Sequence, residues 1–518
     1  MNSRFSGPVS APPRARTVSP ARARARAIRT RLRIVPRAAW VCALVALANG
    51  LAWSLITPPF QVPDENAHYA YVQQLVQTGD LPHPATPAGA LSPQQDATLS
   101  AIDFYWMVGR PYNPAPFTDL QQHAIEQVAS EKLSARGTGD ALTADNNPPL
   151  YYAIEAVPYM LMPGGGVLDR LALMRAVSAL MGAITVLLVF MFLRELLPSR
   201  RWAWSAGALL VAFQPMFAFI SGGVNNDNLL YLAATGILWA LARAFRRGLD
   251  RGGGLLLGAF LGFGLVAKLN LLGFLPALAL ALLLLLRRSW ASPDARREAL
   301  RGAGAAVLLG AAPLVVYELL AHLLWNRGAV PIDVVTGRGA AVLHKFNFRG
   351  ELSHIWELYF APLGHMRDQF PHLLPIWDTW FRGLVGRFGW LDYEFPEWTS
   401  WTVLGVAGAL VTLALGELAR CRHALRRRIG ELAVYAGLLA GLCVEIGIES
   451  YHTYIQTGGQ FEQPRYLLPM IGLYAAIVAL AVRFGGRRFG PALAAAVVVL
   501  AIGHDLYAQA ITIARYYA

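Results

Sequence analysis

Apolar runs of membrane-spanning length recur along the whole chain, and short polar segments separate them. A bilayer core about 30 Å thick is crossed by roughly 20 apolar residues in a helix. Eleven runs approach this length, at residues 38–57, 170–193, 202–221, 229–245, 253–268, 270–286, 302–323, 400–419, 431–450, 466–482 and 489–509. The pattern predicts an all-α polytopic membrane protein with about eleven transmembrane helices.

The distribution of charge predicts the orientation of these helices. The short loops that should face the cytoplasm hold three to five arginines each, near residues 194–201, 243–251, 287–301, 420–428 and 483–488. The long loop 58–169 instead holds twelve acidic residues. Because cytoplasmic loops carry an excess of Lys and Arg, we expect a cytoplasmic N-terminus and an outward C-terminus.

Two loops, 58–169 and 324–399, are then large and face outward. The second is rich in tryptophan, which prefers the headgroup level of a membrane. We therefore expect interfacial helices in both loops, with 351–362 and 376–390 as candidates in the second.

Residues 1–37 differ from the rest, since they contain ten arginines and no acid and are rich in Pro, Ala and Ser. Such a segment cannot build a core, so we expect a disordered tail before a transmembrane domain at 38–518. A basic tail suits nucleic acid, but basic residues before a first span also orient it and contact anionic lipid. We interpret the tail in this second way, with membrane lipids and not nucleic acid as its partner. The three cysteines, Cys42, Cys421 and Cys443, fit neither a metal motif nor a disulfide framework.

Two adjacent acids, Asp64 and Glu65, lie a few residues after the first apolar run. Helical spacing continues through His68, and Gly79 should end the helix. Asp is a favoured N-cap and Glu suits a first helical turn, so both residues have a purely structural interpretation. A carboxylate at the membrane surface is also placed to act as a general base. Their position at the mouth of the first loop favours the catalytic interpretation.

Several polar residues stand at predicted outer ends of spans. Lys268 ends the fifth run, Arg465 opens the tenth, and Asn226 and Asp227 occupy the short outward turn between the third and fourth. A cation near a membrane end can snorkel to the interface, or it can hold a phosphate or an acid of the protein. The sequence leaves these alternatives open.

The motifs PDENAHYAYVQQL, NNPPLYY, QPMF with NND, and QPRYLLP occur in this order along the chain. Together they resemble an uncharacterised family of bacterial polytopic membrane proteins grouped with the GT-C glycosyltransferases, and their layout is similar to that of protein O-mannosyltransferases. The resemblance implies a GT-C-like fold and transfer of a sugar from a polyprenyl-phosphate donor to a hydroxyl of a glycan, lipid or protein. The reaction would invert the anomeric centre on the outer face of the bacterial cytoplasmic membrane. We see no clear metal cluster, but a divalent metal is compatible with the GT-C class.

By this resemblance, Asp64 matches the loop-one acid that activates the acceptor, and Glu65 fills the second place of a catalytic pair. The residues expected to bind substrate are His68, Tyr151, Asn226, Asp227, Lys268, Arg465 and Tyr466. Two other functions stay open. A lipid-linked sugar transporter or flippase should carry buried charges and broken helices within its spans. A non-catalytic subunit of a glycan-assembly complex would leave Asp64 dispensable.

Overall fold

The computed structural model describes residues 35–82, 91–113, 118–137, 144–198, 200–325, 347–364, 366, 368–371, 373–459 and 462–517. Most of the basic tail, whose disorder the sequence predicts, lies outside these ranges.

The described part of the chain is almost entirely helical. Its α-helices are α1 (Arg37–Ile56), α2 (Glu65–Thr78), α3 (Pro93–Ala101), α4 (Phe104–Met107), α5 (Asp119–Ser130), α6 (Leu150–Met160), α7 (Val167–Leu196), α8 (Arg201–Ala212), α9 (Pro215–Ser221), α10 (Asp227–Arg247), α11 (Arg251–Leu265), α12 (Leu275–Arg288), α13 (Pro293–Trp325), α14 (Phe348–Tyr359), α15 (Arg382–Gly386), α16 (Glu397–Arg420), α17 (Arg422–Arg426), α18 (Ile429–Thr457), α19 (Ile471–Phe484) and α20 (Gly486–Tyr517).

Other turns extend or join these helices. They are the 3₁₀ segments Leu269–Phe274, Ser289–Ala291 and Pro464–Met470 and a π-helical segment at Ile376–Phe381. A two-stranded antiparallel hairpin, β1 (Arg387–Phe388) and β2 (Tyr393–Glu394), pairs Arg387 with Glu394 and Phe388 with Tyr393.

Among the described residues, nine helical segments are long and apolar enough to cross a membrane, and a tenth crossing results if α8 and α9 count as one. α11, with 15 residues, is shorter. Each of the eleven predicted runs contains a helix, which confirms the all-α polytopic architecture. The continuous helix expected at 202–221 is wrong, because α8 and α9 are bent by 63°. Pro215 cannot donate a backbone hydrogen bond, and the Gln214 side chain instead accepts one from Phe217 N and starts a new helix.

The arginine-rich loops cluster at one end of the helices. Glu195 at the end of α7 forms ion pairs with Arg246, at 3.1 Å, and with Arg247 at the end of α10. Arg428, just before α18, donates to Leu196 O at 2.8 Å. The acidic first loop lies at the opposite end. The two predicted faces of the protein are therefore separated in space.

At this opposite end, the first long loop packs over the helices. Gly79 ends α2 in a left-handed conformation and donates to Leu75 O, as the sequence predicts. The rings of Tyr71 on α2 and Tyr152 on α6 stack at 3.6 Å. α2 and α6 thus form one layer above the ends of the long helices.

The second long loop meets the first. Trp390 donates its indole N–H to Phe60 O at 3.1 Å. α14 occupies most of the predicted helix 351–362. The predicted helix 376–390 is only partly correct, because α15 ends at Gly386, where the hairpin begins.

Candidate functional site

Asp64 lies between α1 and α2 in an unusual backbone conformation. Its φ is +63°, in the left-handed region, which Asp tolerates better than most residues but which still costs free energy. Asp64 occupies the N-cap position of α2, yet its side chain makes no capping hydrogen bond. The interpretation of Asp64 as only a helix cap is therefore wrong.

The Asp64 carboxylate instead begins a chain of four alternating charges. Its Oδ2 accepts a hydrogen bond from Arg465 Nη2 at 2.5 Å. Arg465 Nε lies 3.0 Å from Asp227 Oδ2, and Lys268 Nζ donates to Asp227 Oδ1 at 2.7 Å. The structure thus brings together four of the residues singled out from the sequence, although Asp64 and Arg465 are 401 positions apart. We call these four residues the charge chain.

Burial differs along the charge chain. The side chains of Arg465 and Asp227 are 4% and 1% exposed, whereas those of Asp64 and Lys268 are 17% and 16% exposed. The two ends of the charge chain are therefore reachable from outside while its middle is enclosed.

Arg465 also has unused hydrogen-bonding capacity. Its Nη1 finds no partner among the described residues, and its Nε contacts Asp227 without hydrogen-bond geometry. Buried N–H groups are almost always paired, so an unpaired guanidinium group needs an explanation. The ring of Tyr466 lies beside both cations, 4.9 Å from Lys268 Nζ and 5.4 Å from Arg465 Cζ. Arg465 therefore has N–H donors to offer an anion, although the carboxylates of Asp64 and Asp227 balance the two positive charges.

His68 on α2 borders the charge chain. Burial lowers the pKa of His68 to about 4, so the imidazole is neutral at pH 7, and its Nδ1 shares a 3.0 Å hydrogen bond with Tyr152. Burial raises the pKa of Asp64, but Arg465 and the other nearby cations outweigh this effect and hold it below its ordinary value. Asp64 is therefore ionised at neutral pH.

Glu65 points away from the charge chain and is fully buried. Arg175 donates to both of its oxygens, through Nε at 2.8 Å and Nη2 at 2.6 Å. The backbone N–H groups of Phe60 and Val224 each donate at 2.9 Å. Both carboxylate oxygens are thus occupied by the protein, and the predicted second acid of the site does not face the same space as Asp64.

Of the two remaining predicted residues, Asn226 adjoins the charge chain and Tyr151 does not. Asn226 donates to Asn147 Oδ1 at 2.9 Å and is 3.3 Å from Ala267 O. Tyr151 lies further away, where its hydroxyl shares a 2.9 Å hydrogen bond with Ser178. Asn226 therefore shapes the turn before Asp227, whereas Tyr151 lies one layer behind His68.

The sequence-based list of substrate-binding residues omits a polar cluster beside Lys268. Asn270 donates to Glu445 Oε2 at 2.8 Å and to Glu449 Oε2 at 3.0 Å. Both acids lie on α18, four residues apart within an apolar run, which is the signal that could have included them. Ionisable groups within membrane spans are costly and often mark function. In the part of the chain that the structure describes, no group of three His, Cys, Asp or Glu side chains is placed to hold a metal ion.

Long apolar helices with a buried charge chain at one end define a polytopic membrane protein with an ionic site near the membrane surface. The chain belongs to the family described as "Predicted membrane protein (DUF2142)", whose model matches residues 47–474. This confirms the resemblance to a family of membrane proteins. No curated protein matches the chain.

Distant similarities to solved structures exist. The chain is 13% identical in sequence to the Archaeoglobus fulgidus oligosaccharyltransferase in its complex with Zn and sulfate, with a TM-score of 0.47. The match covers 92% of this chain and 53% of the other. Against ArnT from Cupriavidus metallidurans bound to undecaprenyl phosphate, it is 15% identical with a TM-score of 0.35, covering 89% and 77%. The chain spans about half the length of the oligosaccharyltransferase. At these TM-scores the similarities assign no activity.

Proposed function

We propose that this protein is an integral membrane glycosyltransferase. It moves a sugar from a polyprenyl-phosphate donor to an acceptor hydroxyl at the outer face of the cytoplasmic membrane, with inversion. The observation that carries the proposal is the charge chain, which places a partly exposed carboxylate next to a buried arginine with an unpaired N–H group.

The cations Arg465 and Lys268 are suited to the donor phosphate. Arginine matches phosphate geometry, and lysine adds a point charge. Lys268 is partly exposed, so a headgroup can reach it from the membrane surface. As the bond between sugar and phosphate breaks, charge develops on the leaving oxygen, and positioned cations stabilise it. A donor dissolved in the membrane suits a site that lies at the ends of long apolar helices.

Asp64 is the proposed general base. While Arg465 holds its carboxylate, the lowered pKa makes Asp64 a weak base. A phosphate bound to Arg465 would compete for the same guanidinium and place a negative charge nearby. Both effects raise the pKa of Asp64. Donor binding would thus convert the carboxylate from an ion-pair partner into a better proton acceptor, which takes the proton of the attacking hydroxyl.

Glu65 takes a supporting role in this proposal, because both of its oxygens are already occupied by Arg175 and backbone N–H groups. Asp227 holds the two cations in place. Tyr466 packs beside both of them, and neutral His68 lines the space around Asp64.

Sugar transfer by purified protein in liposomes tests the proposal. A panel of radiolabelled sugars on polyprenyl phosphate is offered, and transfer to endogenous or added hydroxyl acceptors is measured. Lys268→Gln should lower turnover by roughly 100-fold, as for loss of a group that stabilises developing charge. Lys132→Gln, which removes an exposed lysine of the first loop, is the matched control. Equal transfer by both variants would remove Lys268 from the site.

A second function, transport of a lipid-linked sugar, has its own supporting observation. The acid pair Glu445 and Glu449 lies within the long helix α18, and the break between α8 and α9 interrupts another span. Such features occur in transporters. The same liposomes distinguish the two, because a flippase would move the donor between leaflets without cleaving it.

A further inference from the structure

A crevice between α11 and α13 lies at the arginine-rich end of the helices, away from the charge chain. Its volume is about 570 Å³. Arg251, the first residue of α11, and Arg301 on α13 lie at one end, and apolar residues of both helices form the rest of the wall. α11 leads from Arg251 to Leu265, and Lys268 follows three residues later, so the basic end of the crevice and the charge chain lie at opposite ends of α11.

Small residues create this crevice. α11 and α13 approach so closely that a Cβ on Gly254 would lie 1.9 Å from Gly302 O, and one on Gly258 would lie 2.7 Å from Ala306 O. Small residues allow this contact between membrane helices. Beside the seam, a Cβ built on Gly304 meets no atom within 4 Å. Gly304 thus takes no part in the contact between the two helices, and its missing side chain leaves an open groove.

The shape and charge of the groove fit an amphiphile. Arg301, Gly304, Ala305, Leu308 and Ala312 share one face of α13. Arg301 and Ala312 are eleven residues apart in the sequence, which corresponds to about 16 Å along a helix. The groove is cationic at one end and apolar along the rest of its length, as a phospholipid with an anionic headgroup requires.

The surrounding acids leave part of this positive charge available. Arg301 pairs with Glu298 at 2.7 Å, but this pair is solvent-exposed on both sides, so the interaction is weak. Asp250 uses one carboxylate oxygen to accept from Gly253 N at the start of α11. Arg251 has no ion-pair partner among the described residues.

We propose that the crevice binds an anionic phospholipid, with its phosphate on Arg251 and Arg301 and one acyl chain along Gly304, Leu308 and Ala312. Basic pockets between membrane helices recognise such headgroups. This proposal is independent of the glycosyltransferase function, because it uses no residue of the charge chain.

Native mass spectrometry of the full chain in detergent tests the proposal. Phosphatidylglycerol is titrated against phosphatidylcholine with identical acyl chains, and against glycerol 3-phosphate as a headgroup without chains. Only phosphatidylglycerol should be retained. The double variant Arg251→Gln/Arg301→Gln should bind it roughly 30-fold more weakly, as for loss of two cations near a lipid headgroup. Gly304→Leu fills the groove without changing charge and should also weaken binding.

The matched control is Arg422→Gln/Arg426→Gln, which removes the same charge from exposed positions of α17, outside the crevice. It should bind phosphatidylglycerol normally. An equal loss in both double variants would show diffuse surface attraction and overturn the proposal. Unchanged binding by Gly304→Leu, or equal retention of phosphatidylcholine, would overturn it as well. The thermal unfolding midpoint of each variant shows that it is folded, and Leu is a better helix former than Gly at an open position.

Discussion

Replacing Asp64 by Asn should separate binding from chemistry. Asn adopts the left-handed conformation about as readily as Asp, and its amide oxygen still accepts from Arg465. The fold should therefore persist. The basic carboxylate is lost, and loss of a positioned general base costs about 10²–10⁴-fold in rate. This corresponds to roughly 3–5 kcal/mol in the activation free energy.

The same substitution should strengthen donor binding. Arg465 has its one strong hydrogen bond with Asp64, at 2.5 Å, and a phosphate must compete with that carboxylate. Two negative charges about 6 Å apart repel by roughly 3 kcal/mol at an effective dielectric constant near 20. Asp64→Asn removes this repulsion. If only half of it is relieved, the donor Kd should fall about tenfold. A residue that only supports the fold would weaken both binding and turnover.

Donor affinity by equilibrium binding and single-turnover transfer in liposomes measure the two effects. Asp103→Asn is the matched control, because Asp103 also begins a helix in a left-handed conformation, with φ of +51° and no capping hydrogen bond. It lies in the same loop and outside the charge chain. Near-normal transfer by Asp64→Asn, or weaker donor binding together with slower transfer, would refute the proposed role of Asp64.

Three further results are expected. Glu65→Gln should lower the thermal unfolding midpoint, because breaking a buried ion pair costs about 3–5 kcal/mol; normal stability with abolished transfer would instead return Glu65 to a catalytic role. Burial raises the pKa of Glu155 to about 8, so the folded state favours the neutral carboxyl group. The stability that this neutral form contributes should be lost as pH rises through that value. Glu155→Gln should therefore flatten the dependence of the unfolding midpoint on pH between about 5 and 9. In a chain without its native cysteines, Tyr112→Cys should react with a membrane-impermeant thiol reagent in intact cells and Ser292→Cys should not; the reverse would invert the proposed orientation.

The sequence predicts the helices well because a helix that crosses a membrane requires a long run of apolar residues. The broken span at 202–221 is the exception, since both α8 and α9 are apolar. The break depends on one residue, Pro215, and on Gln214, which starts the second helix. In an apolar run a single proline can kink a helix or end it, and hydropathy does not distinguish these outcomes.

The sequence indicates which residues belong to the candidate site, but it does not indicate which of them contact each other. Asp64 and Arg465 are conspicuous as charges at span ends, yet only the fold shows that they bind each other. Glu65 looks equivalent to its neighbour in sequence. Its partner Arg175 lies 110 residues away inside an apolar run, and this distant contact, which local pattern does not reveal, gives Glu65 a different environment.

Arg175 also determines which parts of the site can move. Its five N–H groups all serve one stretch of chain: three donate to the carbonyls of Ser54, Thr57 and Pro58, and two to Glu65. Lysine, with three N–H groups on a flexible stem, could not replace these contacts. The turn that carries Asp64 is therefore held at both ends, and its backbone has little freedom to follow a substrate. In the proposed reaction, rearrangement of this turn on donor entry should therefore be confined to side chains such as that of Asp64, through rotamer changes rather than movement of the turn's backbone.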